Sequence, residues 1–114
     1  DVAGEQAMKE RQRNQLFNGK TLKSRISAIR SMRNNTYHEL VPELLKLVAD
    51  ASQPLELRVN TAECLGWFAH TPRRAEIIDA CRQAAADKNL EKELRDELTQ
   101  TAIRLESTVS VPTR

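Results

Sequence analysis

Glycine is scarce in this chain, at three residues in 114, and there are only four aromatic side chains and two cysteines. So little glycine argues against sandwiches, barrels and glycine-rich phosphate loops, which need many positions of positive φ. No apolar run exceeds three residues, so neither a transmembrane helix nor the core of a signal peptide is present. Asp1 stands where an initiator Met is expected, which reads as a processed chain or an excised fragment and leaves the compartment open. What remains is 39% apolar and 30% charged residues, the composition of one small, soluble, mostly helical domain.

Charge is unevenly distributed. Residues 1–33 carry eight basic and three acidic side chains, a net of +5; residues 34–114 carry ten and thirteen, a net of −3. A basic end suits nucleic acid, an anionic surface or an acidic protein, and equally a solvated helix face. Cys64 and Cys81 both fall on apolar helix stripes with no further ligand at metal-binding spacing, so they read as buried thiols, with a bridge between neighbouring helices as the alternative. His38 and His70 share no ligand-like spacing and sit at helix boundaries. No catalytic, cofactor-binding or metal-ligating set emerges, and the chain reads as non-enzymatic.

Six helices can be read from a 3.6-residue apolar period. The first, about 4–17, has a thin apolar face and ends at Asn18-Gly19, with Gly19 suited to a left-handed cap. The second, about 21–33, aligns Leu22, Ile26, Ile29 and Met32. Thr36-x-x-Glu39 reads as a capping box for the third, which has Pro42 in its first turns and a broad apolar face. The fourth spans about 54–69 and the fifth about 72–86. The sixth, from an Asn89 N-cap to about 106, repeats Leu90, Leu94, Leu98, Ala102 and Leu105. Residues 107–114 read as a flexible tail.

Self-similarity organises these helices into pairs. Ala49-Asp50 and Glu56-Leu57-Arg58 recur as Ala86-Asp87 and Glu93-Leu94-Arg95, all offset by 37 residues. Each copy ends one helix and begins the next, which places the Asp to meet turn donors and the following guanidinium. A weaker echo relates Arg25 to Arg58 at an offset of 33. Asp50, Arg58, Asp87 and Arg95 are therefore assigned to structure, within hairpins at about 3–33, 37–69 and 72–106 of a single domain spanning 3–106.

The stretch from Val41 to Gly66 resembles a HEAT repeat: Pro42, Asp50, Arg58, Ala62, Leu65 and Gly66 match that family's pattern in type and order. The 72–106 hairpin lacks the Pro and has Ala102-Ile103-Arg104-Leu105 in place of the Leu-Gly ending, and no Asp precedes Arg25 in the first hairpin. The resemblance implies an all-α fold, a short right-handed superhelix of about three HEAT-like hairpins, with the second helices lining a concave face. It also implies a protein-binding scaffold within a larger protein. A minority of the family bind DNA, and a few DNA glycosylases use a fold of this kind.

Contact candidates on that face are Arg30, Arg33, Glu63 and Trp67. Trp67 has polar residues at helical spacing around it, so it is either a spacer packing on the next hairpin or an exposed anchor. Lys20, Lys23, Arg30 and Arg33 could instead meet phosphates, although no aromatic platform for bases lies nearby. A protein partner is the leading expectation, a nucleic acid the competing one, and an accessory domain of a larger enzyme the third; no small-molecule substrate is evident.

Overall fold

The computed structural model describes residues 1–108 and places six α-helices there: α1 (Val2–Asn18), α2 (Leu22–Ser31), α3 (Val41–Ala49), α4 (Leu55–Leu65), α5 (Arg74–Ala85) and α6 (Lys92–Ser107). Among the described residues there is no strand. The helices pair as α1/α2, α3/α4 and α5/α6, and the second member of each pair packs on the next, α2 on α4 and α4 on α6. Helix α3 adjoins α5 in the other layer. The result is a slab of 45 × 42 × 17 Å, two helices deep.

The core runs through all three pairs: Leu16, Ile29, Met32, Val41, Leu44, Leu57, Leu65, Phe68, Ile77, Leu94, Leu98 and Leu105 are fully buried. Each such side chain contributes roughly 1.5–3 kcal/mol of transfer free energy. Ala62 is also fully buried, and its small side chain lets α6 approach closely enough for the Thr101 hydroxyl to donate to the Ala62 carbonyl at 2.7 Å. Helix α1 is the exception: Leu16 is its one buried residue. Leu16, the partly buried Phe17, a Gln12–Ser31 hydrogen bond to α2 and polar links to the second pair attach it. Arg13 grips both carboxylate oxygens of Glu43 at 2.7–3.0 Å, and Lys9 lies 3.9 Å from Glu39.

The turns carry the repeat. Asp50 accepts from the Ser52 amide at 3.0 Å and the Ser52 hydroxyl at 2.6 Å, which holds its carboxyl below the usual value. Asp87 accepts from the Asn89 amide at 2.9 Å. The arginines behave differently from expectation. Among the described residues no ion pair joins Asp50 to Arg58 or Asp87 to Arg95. Arg58, 3% exposed, gives its Nε–H to the Val48 carbonyl at 2.8 Å, and its Nη1 lies 3.5 Å from Glu91 at the start of α6. Arg25 and Arg95 likewise donate Nε–H to Leu16 and Leu90 carbonyls at 2.7 and 3.0 Å. Arg25 also reaches the side chain of Gln53 in the next turn. Arg25 and Arg58 thus satisfy carbonyls at the end of the preceding helix that lack a helical partner, whereas Arg95 bonds a carbonyl of the turn itself. The first two also tie their turn to the next.

Several local expectations need correction. Gly19 has φ −58° and ψ 143°, not a left-handed conformation. Its missing Cβ is needed for space, since one would lie 2.8 Å from Ser24 Oγ and closer still to the Gln15 carbonyl. The Thr36 capping box does not form: Tyr37 is the N-cap of a single 3₁₀ turn, His38–Leu40, that leads into α3 without a side-chain cap. The N-cap of α6 is Glu91, two residues beyond Asn89, whose backbone amide donates to Asp87 in the turn. Helix α4 stops at Leu65, where tighter i−3 hydrogen bonds from Gly66, Trp67 and Phe68 take over and swing Phe68 into the core. Residues 109–114 of the expected tail lie outside the described residues; Ser107 ends α6 and Thr108 caps it.

A polar and aromatic patch across the second helices

Three of the four contact candidates meet on the α2–α4–α6 layer. Arg33, just past α2, donates its Nε–H to Glu63 Oε1 at 2.8 Å, and its Nη2 lies 2.7 Å from the same oxygen. The other oxygen of Glu63, Oε2, accepts the indole N–H of Trp67 at 3.2 Å. Both links follow from the backbone: Glu63 and Trp67 are four residues apart at the end of α4, and α2 packs alongside. Trp67 remains 45% exposed. Arg30 does not join them; it lines a separate groove farther along α2.

Arg104 completes the patch and was not among the candidates. Its guanidinium lies over the Trp67 ring, 5.0 Å from the centroid, a cation–π geometry. Gly66 makes this approach possible, because a Cβ there would stand 3.1 Å from Arg104 Cδ. A signal for Arg104 existed: positions 67 and 104 differ by the same 37 residues that relate the two turns. Trp67 packs against Arg104 of the next hairpin through one face while keeping much of its surface open. Glu97 faces the same cluster. Burial first, then the Glu63 carboxylate, raises its carboxyl above the ordinary range, while Arg104 and Arg33 oppose that shift.

No family model, curated protein or solved structure matches the chain.

Cys64 and Cys81 are buried and unbridged, and burial pushes their thiols up to about 12 and about 11, far from nucleophilic at neutral pH. Among the described residues, no group of three His, Cys, Asp or Glu side chains is placed to hold a metal ion. His70 is exposed, and His38 lies 3.8 Å from Glu39 at the surface. Among the described residues, no helix is long and apolar enough to cross a membrane.

The basic first third is partly consumed by the fold. Lys9, Arg13 and Arg33 pair with Glu39, Glu43 and Glu63, each 30 residues onward, so the sequence's charge imbalance becomes a seam between the first two helix pairs. Arg25 is spent on the Leu16 carbonyl and Gln53. Arg11, Lys20, Lys23 and Arg30 remain exposed.

Proposed function

We propose that this chain is a non-catalytic HEAT-like α-solenoid module, a short right-handed superhelix of three hairpins, that serves as a protein-binding scaffold within a larger protein. The observation that carries this reading is Trp67. It is a large aromatic left nearly half exposed, yet held by a hydrogen bond to Glu63 and by Arg104 above its ring. An aromatic fixed in advance loses little side-chain entropy on binding, which is the property of an interface anchor. The layering of α2, α4 and α6 supports the same reading, because it puts the patch on a continuous face of second helices. Pairing of Lys9, Arg13 and Arg33 with carboxylates weakens the case for a phosphate-binding surface.

The test is affinity capture from an extract of the native source, with wild type and Trp67→Ala compared. A specific protein partner should be retained at about 0.5 M salt, where exposed charge pairs are screened, and lost with Trp67→Ala while the circular dichroism spectrum is unchanged. Recovery of nucleic acid alone, released by salt, would replace the scaffold reading with the nucleic-acid one.

A further inference from the structure

A second feature of the α2–α4 face is not absorbed by the Trp67 patch. Leu22, Lys23, Ile26, Ser27 and Arg30 of α2 form, with Glu56 of α4, an open groove of about 520 Å³. Leu22 and Ile26, one helical turn apart, are half-buried and pack against the core, so their outer surfaces make an apolar floor. Lys23 and Arg30 stand exposed on its rim and, among the described residues, make no ion pair. Their seven-residue spacing is two turns, about 10.5 Å along the axis. The contrast with the patch is one of charge satisfaction. Arg33, Glu63, Trp67 and Arg104 are already engaged with one another, whereas Lys23 and Arg30 share their groove with a single carboxylate, Glu56, and, among the described residues, pair with none.

We infer that this groove docks a short, acidic, amphipathic segment of a protein partner, with its apolar side chains on Leu22 and Ile26 and its carboxylates on Lys23 and Arg30. The proposal rests on the protein-binding reading above and names the chemistry of the partner. Charge complementarity selects an acidic segment. Carboxylates on one face of an extended chain, two or four residues apart, span about 7 or 13 Å and bracket the spacing of the two cations. The apolar floor gives the partner's large side chains a surface to bury, which a sugar–phosphate backbone cannot use. Glu56 lines the same groove and disfavours an unbroken run of phosphates, whereas a peptide can place an uncharged residue there; two cations also release too few counterions to hold a nucleic acid at physiological salt. Glu56 also gives direction: the partner presents a neutral or basic side chain there.

Selection from a phage-displayed library of random linear peptides on the whole chain tests this. The selected peptides should be acidic and carry at least one large apolar residue. They should shift the amide resonances of residues 22–30 and 56, and weaken about tenfold or more on the double substitution Lys23→Glu and Arg30→Glu. Both positions are exposed, so an unchanged melting curve separates lost binding from lost folding. Selected peptides without acidic residues, affinity that survives the charge reversal, or a library yielding no binder would overturn the groove assignment. Peptides that depend on Trp67 and not on Lys23 and Arg30 would also overturn it, while leaving the scaffold reading standing. A single-stranded oligonucleotide that binds where no peptide does, and is lost in the charge-reversed variant, would sink both.

Discussion

At the scale of single residues, the arginines of the repeat separate by burial. Arg58 is almost fully enclosed, and its loss would leave the Val48 carbonyl without its donor and a void behind it. Arg58→Ala is expected to cost about 2–4 kcal/mol, whereas Arg95→Ala, at a half-buried site with one comparable bond, should cost about 1 kcal/mol. Urea denaturation of the two variants checks the difference; equal losses would show that the buried guanidinium has no special role. Gly19→Ala isolates a steric effect, because the backbone at φ −58° suits any residue and only the Cβ is unwelcome. The nearest obstacle is a backbone carbonyl, which cannot rotate away. A loss of about 1–3 kcal/mol is expected, read as a fall in Tm of about 4–8 °C per kcal/mol. A neutral substitution would mean that the turn relaxes without cost.

At the scale of elements, stability is graded along the chain. Helix α1 has 17 residues but buries only Leu16, so most of its turns have solvent around their backbone hydrogen bonds. Helix α4 buries Leu57, Arg58, Thr61, Ala62, Cys64 and Leu65 between two neighbours. Amides in the first three turns of α1 should therefore exchange about a hundredfold or more faster than those of α4 in native-state hydrogen exchange. Comparable protection would mean that the Arg13–Glu43 and Lys9–Glu39 links hold α1 far better than pairs at this exposure usually do.

The elements were also where sequence patterning was most legible. Six helices, their pairing, and the places of Arg58 and Arg95 beside the turns follow from period and repeat offset, although the expected Asp–Arg pairs do not form. Helix ends were less legible. Thr36 and Asn89 have the chemistry of caps, but local sequence does not say which residue the turn geometry already engages. The 3₁₀ turn before α3 moved its cap from Thr36 to Leu40, and the Asp87 turn before α6 moved its cap from Asn89 to Glu91.

At the scale of the whole molecule, the two buried thiols predict an alkaline limit. Their folded pKa values, about 12 for Cys64 and about 11 for Cys81, lie above the ordinary 9.0. Above about pH 9 the unfolded chain releases these protons while the folded chain retains them, so stability falls as pH rises and keeps falling until the folded values are reached. The slope is at most about 1.4 kcal/mol per pH unit for each thiol. A Cys64→Ala, Cys81→Ala double variant should show a flatter decline in its urea midpoint between about pH 9 and 11. An identical decline would assign the effect to other groups. At neutral pH both thiols should resist aromatic disulfide reagents until the chain unfolds.

Sequence by itself determined the all-helical class, because scarce glycine and unbroken 3.6-residue apolar stripes leave no other way to bury the apolar residues. It also determined the helix pairing, because short turns with a repeating Asp and Arg force consecutive helices back on each other. Only the tertiary structure decided which charges stay available. Lys9, Arg13 and Arg33 look equivalent to Lys23 and Arg30 in a linear count, yet stacking brings carboxylates 30 residues away to the first three and leaves the last two exposed. Tertiary packing likewise joined Arg104 to Trp67, since a contact across two hairpins depends on how closely α6 approaches the end of α4. Gly66 permits that approach, but no local rule of sequence announces it.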